Sequence, residues 1–543
     1  MASKLSPGKM LLIAVTLFFV VGYIVYPLAQ LAIVSAAEKG VVSQLLSRTV
    51  LQACFNSVIL SAITVSGSAV IGLWFAYTFH FRRIRFKEFF SAVILLPVAI
   101  PPMVGVMAFL FLLGDNGLLA KTLGLQHFSF KGWTAVTIIH LYSFYPLFFL
   151  FVGNAFKSMD SSTVEAAYAM GAGKVRTFFT VILPQLRIPL IGAALLTFMA
   201  SMASFSAPFI FAGSDRFLTT EIYYSKINGD MSFSAMLSMM LTAISVICLF
   251  VMRWYRDKVP APGKTKGAIR IASATKVNAV EYIFICAFCS IVVLPVISLV
   301  IISILPDGAL MQSGLTFDFT LANYRKIFSE NEFFQPFLNT VSASVVAVAF
   351  TILLSLCVAH ILRGRQSAAK SALETIVSLP YGIPGTVIAI CLILAFNSPS
   401  VFSFYQVLIG TFWILPIAYT VRNLPILTQS VKSGLHAIDP SVEEAAASLG
   451  ASRFRTWYSV TLPLIYTSLA EGSLLVFINS FGEFVATVLL YIYATKTMSI
   501  EVYSQMRMYN NGMAATYGVL LFIIVITIVY ISRRILSRSH PQM

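Results

Sequence analysis

Glu165-Ala166-Ala167 is followed by Gly171 and then by Leu183-Pro184, and the same pattern returns as Glu444-Ala445-Ala446, Gly450 and Leu462-Pro463. The spacing is constant: 444 − 165, 450 − 171 and 463 − 184 each give 279. Each copy joins a carboxylate, two methyl-sized side chains, a glycine that can turn the chain and a proline that can stop a helix. Such a set supports contact rather than catalysis. Both copies sit in polar islands between long apolar runs. A membrane chain that carries one short cytosolic device twice is suited to a paired partner, which points to transport.

A second candidate lies inside an apolar run. Gly482-Glu483-Phe484-Val485-Ala486-Thr487 falls in a span expected near 466–491. Glu483 would sit roughly 25 Å up a helix rising 1.5 Å per residue. An acid at that depth is a functional-site candidate by default, or else a structural partner between helices. The matching stretch in the first half is Ala203-Ser204-Phe205, without the acid. Pro97-Val98-Ala99-Ile100-Pro101-Pro102 and Pro380-Tyr381-Gly382-Ile383-Pro384-Gly385 interrupt two further runs. Broken helices are tolerated where a cavity or neighbours satisfy the backbone. Pro101 and Pro384 therefore mark a gate or substrate-facing kink, against plain helix distortion. His140 reads as a packed histidine. Cys286 and Cys289 form a CxxC with no second pair to complete a zinc site, and no His/Asp/Glu/Cys cluster suggests a metal.

The elements that position these residues follow from composition. The chain has 543 residues, 58% hydrophobic and 11% charged, whereas a soluble domain is usually about 25% charged. Its solvent is a lipid bilayer. The net charge of +16 belongs to basic cytosolic loops rather than to nucleic-acid binding. An all-α membrane protein of about twelve transmembrane helices is expected, near 10–34, 53–80, 91–113, 134–154, 186–212 and 232–254, then 280–304, 336–361, 374–396, 404–427, 466–491 and 513–532. Lys4 and Lys9 precede a first run too long for a signal peptide. Arg82, Arg83, Arg85 and Lys87, the basic stretch from Arg253 to Arg270, Arg363, Arg365 and Lys370, and Arg533, Arg534 and Arg538 follow alternate spans. Both termini should be cytosolic.

The repeat extends further. Asn56 matches Asn339, Pro97 matches Pro380 and Pro101 matches Pro384, each 283 apart. Glu221-Ile222-Tyr223 resembles Glu501-Val502-Tyr503, 280 apart. The chain divides into 1–256, a basic linker 257–278 rich in Pro, Gly and Lys, and 279–543. Six spans per half give two parallel repeats with a pathway between them.

Each polar island reads as helix, glycine turn, helix. Asp160 and Asp439 with Pro440 can cap the starts. Ser162 with Glu165, and Ser441 with Glu444, have capping-box spacing, which would give both glutamates a purely structural role. Gly171 and Gly450 suit a left-handed helix end. Pro184 and Pro463 should break the helix that follows. The segment from Pro146 to Asp160 is nine residues shorter than that from Pro416 to Asp439 (14 against 23), which would make the two hairpins inequivalent.

The constellation resembles the Glu-Ala-Ala motif of permease subunits of bacterial binding-protein-dependent ABC importers. The resemblance covers nearly the whole chain as two fused halves, most like the iron(III)/thiamine/2-aminoethylphosphonate branch. It implies the type I ABC importer permease fold in the inner membrane. It implies that Glu165, Ala166, Ala167, Gly171, Glu444, Ala445, Ala446 and Gly450 form coupling helices for two copies of an ATP-binding subunit. It also implies an external substrate-binding protein. The Gly-Glu-Phe string resembles that of sulfate and molybdate permeases. ATP belongs on the partners: Gly171-Ala172-Gly173-Lys174 lacks phosphate-loop spacing. Iron(III) is the favoured cargo. Thiamine, aminoethylphosphonate, sulfate and polyamine are alternatives, and an ion-coupled secondary transporter is the alternative of another class.

Overall fold

The computed structural model describes residues 7–37, 40–124, 129–159, 161–258, 275–311, 318–364 and 367–539. Most of the linker, 259–274, lies outside these residues, as does Asp160. Arg82–Arg83 pairs in parallel with Thr275–Lys276, the only sheet among the described residues.

Nine helices among the described residues are long and apolar enough to cross a bilayer, and two bent pairs raise the number to eleven. The pairs are Lys174–Gln185 with Arg187–Met202, bent by 68°, and Ala368–Gly382 with Gly385–Phe396, bent by 114°. The span expected at 404–427 differs. Its helix runs Ile414–Ala437 and carries Arg422, Asn423 and Lys432, so it falls outside the apolar set.

Three further expected spans are not continuous. The 91–113 run is split into Lys87–Ile94, Leu96–Ala99 and Pro102–Leu113, because Pro101 and Pro102 lack the N–H that a continuing helix needs. The 186–212 run stops at Met202 and resumes at Ser206–Phe211. The 466–491 run stops at Phe481 and resumes at Thr487–Leu490. Threonines satisfy the carbonyls these last two breaks expose. Thr219 Oγ1 donates to Ser204 O at 2.8 Å, and Thr487 Oγ1 to Glu483 O at 3.2 Å.

The halves share one core. Arg48–Phe81 packs against Gly132–Ser158 and Arg187–Met202. Asn331–Leu362 packs in the same way against Ile414–Ala437 and Leu462–Phe481. The buried faces are stripes of small residues, Ala53, Ser57, Ser61, Thr64 and Ser68 in one and Ala343, Ser344, Ala347, Thr351 and Ser355 in the other. Small side chains let helix backbones approach where lipid gives no hydrophobic drive. The first helices are exchanged. Tyr26–Ala37 packs on Gly385–Phe396 of the second half, and Ala279–Ser303 packs on Pro102–Leu113 of the first.

The matched asparagines have a shared task. Asn56 Nδ2 donates to Arg216 O at 2.9 Å, while Asn339 Nδ2 donates to Ala494 O and Lys496 O, both at 2.9 Å. Each holds the loop before a short helix, Leu218–Ile227 or Met498–Arg507. These helices carry matched ion pairs, Arg216–Glu221 at 3.4 Å and Lys496–Glu501 at 3.5 Å. Asn339→Ala strands two carbonyls. It should lower stability by about 1–3 kcal/mol, read as a lower melting temperature of the purified chain. An unchanged melting temperature would deny Asn339 this anchoring role.

Candidate functional site

The two polar islands fold alike. Ser161–Ala169 and Pro440–Ser448 are helices, each closed by a glycine at positive φ, +83° at Gly171 and +81° at Gly450. The same pair of turn hydrogen bonds ends both. Gly171 N–H donates to Tyr168 O (2.9 Å) and Ala172 N–H to Ala167 O (3.0 Å); Gly450 N–H donates to Ala447 O (3.0 Å) and Ala451 N–H to Ala446 O (3.0 Å). This is the Schellman arrangement. Immediately beyond, Phe178–Ile182 and Trp457–Thr461 widen into π-helix ahead of Pro184 and Pro463. Widening relieves the clash between a proline ring and the carbonyl four residues earlier. Pro184 is followed by the 68° bend, but the helix through Pro463 continues to Phe481 without a break.

Two expectations about these hairpins change. The second helix is capped by Asp439, which accepts the Ser441 N–H at 2.9 Å, with Pro440 in its first turn. Ser441 and Ser162 both lie inside their helices, so neither is the N-cap of a capping box. The proline that matches Pro146 is Pro425, not Pro416. The two lie 279 apart, and each is the proline inside its helix. The segments to Asp160 and Asp439 are then equal in length, 14 residues.

Glu165, Ala166, Glu444 and Ala445 are exposed, Ala446 is half-buried, and Ala167 is buried. Beside them Met170 and Leu449 are 82% and 89% exposed. What anchors the hairpins differs between halves. Val164 is buried in the first. Its counterpart 279 residues on is Glu443, which lies 2.6 Å from Arg363 Nη1 and accepts the Thr461 hydroxyl at 2.7 Å. Burial pushes the Glu443 carboxyl up, but the hydrogen bonds from Arg363 and Thr461 and the Arg363 charge outweigh it and hold the group below the usual glutamate range. A carboxylate depressed on folding stabilises above its unfolded pKa, and that stability is lost as pH falls through the lower folded value. The second hairpin should therefore loosen as pH falls through and below the usual glutamate range, by about 0.5–1 kcal/mol for this partly exposed pair. Hydrogen exchange across residues 440–448 should show that loosening in the wild type and not in Glu443→Gln. Identical pH profiles for the two would remove the anchor.

Between the halves lies a cavity of about 480 Å³. Four of the helix breaks reach it. Pro101 and Pro384 line it from the two proline-rich breaks, and Ser204 and Glu483 from the other two. Positions related by 279 both line it: Ser143 and Arg422, Ser204 and Glu483, and Phe205 and Phe484. The two phenylalanine rings lie 6.1 Å apart. Glu483 is ion-paired with Arg422, and its other oxygen accepts the Ala486 N–H at 2.9 Å. In the first half two serines take the places of the ion pair. Ser204 instead meets His140 Nε2 at 2.9 Å, and His140 Nδ1 meets Ser201 at 3.0 Å. His140 is buried and satisfied at both nitrogens, as a packed histidine should be. Sequence reasoning missed Arg422. The 279-residue spacing could have flagged it as the charged partner of Ser143.

Residues 68–259 and 352–540 each match the family described as binding-protein-dependent transport system inner membrane component. The chain is 26% identical over 524 residues to a probable ABC transporter permease protein, y4fN, of Sinorhizobium fredii, covering 94% of this chain and 92% of the relative. It is 27% identical over 550 residues to the ferric transport system permease protein FbpB of Actinobacillus pleuropneumoniae, covering 97% and 77%. A putative molybdenum transport system permease protein, YvgM, of Bacillus subtilis is 32% identical over 205 residues, 36% of this chain and 90% of that one. Among solved structures, a bacterial alginate ABC transporter in complex with an alginate pentasaccharide-bound periplasmic protein matches at 19% identity and a TM-score of 0.40, over 49% of this chain and 94% of that chain. The fold and the site define an all-α membrane protein built from two like halves around a cavity. The chain belongs to the binding-protein-dependent transport system inner membrane component family, and the doubled domain makes it a fused two-half permease of a bacterial ABC importer.

Proposed function

We propose that this permease imports iron(III) delivered by a separate binding protein, driven by two copies of an ATP-binding subunit. The subunits seat on the cytosolic hairpins, one at Glu165, Ala166, Ala167 and Gly171 and the other at Glu444, Ala445, Ala446 and Gly450. Hydrolysis takes place on those subunits, and both termini of this chain face the cytosol. The halves are 1–256 and 279–543, joined by the linker 257–278. Cargo passes through the cavity beside Glu483, Ser204, Pro101 and Pro384.

The observation that best supports coupling is the pair of like hairpins, each presenting an exposed apolar side chain, Met170 or Leu449, beside a small-residue face. An exposed apolar patch on a polar surface suits a partner. Iron is supported by ferric relatives that match over most of the chain, 97% in one case. Cells deprived of their own ferric uptake should accumulate radioactive ferric iron when given this permease with its two kinds of partner. They should lose it when the ATP-binding subunit is omitted. Uptake of molybdate, thiamine or 2-aminoethylphosphonate in place of iron would reassign the cargo and leave the importer class intact.

A further inference from the structure

We propose that Arg422 is a cargo-binding group, and that its site takes oxygen-bearing anions, free or as the ligands of a metal ion. The inference rests on reading the cavity as the translocation path and deepens that reading.

The ion pair is one-sided. Both Glu483 oxygens are engaged, one by Arg422 Nη1 and the other by the Ala486 N–H, and the side chain is 8% exposed. Arg422 is 36% exposed, and Glu483 is its only hydrogen-bond partner among the described residues. A guanidinium carries five N–H donors in a planar fork. Most of that fork is left to the cavity. Glu483 is also the only carboxylate among the lining residues. The fixed charge that cargo meets is therefore positive, although the pair is neutral in sum.

The backbone at the second proline-rich break approaches this group closely. A Cβ at Gly385 would lie 2.6 Å from Arg422 Nη1. A side chain at this break would press on the end of the guanidinium, which would have to shift. Gly385 also opens the helix Gly385–Phe396, whose N-terminus meets the cavity and adds partial positive charge. The first half supplies Ser143 where the second has Arg422, so the site is single and lies on the second half.

The same geometry disfavours a bare cation. Among the described residues, no group of three His, Cys, Asp or Glu could hold a metal ion. A desolvated trivalent ion next to a guanidinium would be repelled. A cation that still carries anionic oxygen ligands would instead offer acceptors to the fork, as would a free oxyanion.

The test uses the purified full chain in lipid nanodiscs and needs no ATP-binding subunit. Thermal unfolding is followed against inorganic phosphate, with chloride at matched ionic strength as the control. Phosphate should stabilise the wild type saturably. Glu483→Gln frees the guanidinium from a neighbouring negative charge and should tighten phosphate binding by about tenfold or more. The neutral pair Arg422→Gln with Glu483→Gln should lose the response. If that double variant does not fold, Glu483→Gln decides alone. Absence of a phosphate-specific shift in Glu483→Gln, or an unchanged shift in the double variant, would overturn the proposal. Ferric citrate against citrate alone separates the sources. A stronger response to the ferric complex assigns metal-borne anions, and an equal response assigns free ones. Phosphate binding without any uptake in cells would count against the importer reading and leave the anion site standing.

Discussion

Gly171→Asp combined with Gly450→Asp is expected to abolish uptake while the permease still inserts and folds. Both glycines lie at positive φ, +83° and +81°. A side chain there costs roughly 1–2 kcal/mol of backbone strain. A Cβ at either position would meet nothing within 4 Å, so steric crowding inside this chain adds nothing. The damage falls instead on the turn and on the exposed face beside Met170 and Leu449. That face gains a charge where an apolar contact with the ATP-binding subunit is proposed. An unpaired charge buried at such a contact costs several kcal/mol, enough to weaken assembly by at least about a hundredfold. Uptake of ferric iron and co-purification of the ATP-binding subunit should fail together, with the variant present in the membrane at wild-type levels. Each single variant should lose less than the double, because one hairpin remains.

Arg422→Ala is the second large effect. It leaves Glu483, 8% exposed, with the Ala486 N–H as its remaining hydrogen-bond donor. Breaking a buried ion pair costs about 3–5 kcal/mol. Because the guanidinium is 36% exposed, roughly 2 kcal/mol is the appropriate figure here. The melting temperature and the yield in detergent should both fall. Adding Glu483→Gln to the same chain should recover most of the stability, since the stranded charge is gone. Uptake should not recover, because the cavity has lost its donor. Full recovery of uptake in the double variant would reduce the pair to a structural strut.

The sequence made the repeat legible because its signal is local. A carboxylate, two alanines, a glycine and a proline at fixed spacing need no knowledge of packing, and Gly171 and Gly450 lie in the left-handed turns that spacing suggests. Glu483 stood out because a charge in an apolar run is rare. Arg422 was equally visible in kind, but the run around it is interrupted by Asn423 and Pro425, and hydropathy averaged over a span hid it. The constant 279-residue spacing, carried through that helix, pairs Pro425 with Pro146 and Arg422 with Ser143. Pro416 lies out of that register, and a comparison with Pro146 makes the hairpins look unequal in reach.

Helix breaks within apolar sequence were harder to read. After Phe481 the chain carries Gly482 and Glu483 and is apolar again at Phe484, Val485 and Ala486, and Gly482 alone hints at the stop. The break is set by Thr487 taking the Glu483 carbonyl and by Ala486 donating to its carboxylate, contacts that form only once the turn exists. The exchange of first helices between halves leaves no trace in composition. Tyr26–Ala37 and Ala279–Ser303 are mostly apolar with no strong polar face, and their sequence does not name the half they cross to.

The central claim is that two copies of one ATP-binding subunit seat on the paired hairpins. Photo-crosslinking amino acids placed singly at Met170 and at Leu449, in the chain's own membranes, test it most directly. Both positions should crosslink to the same nucleotide-binding polypeptide, and a chain carrying both probes should yield a product with two copies attached. Crosslinks to lipid alone at both positions, with the complex otherwise active in uptake, would contradict it.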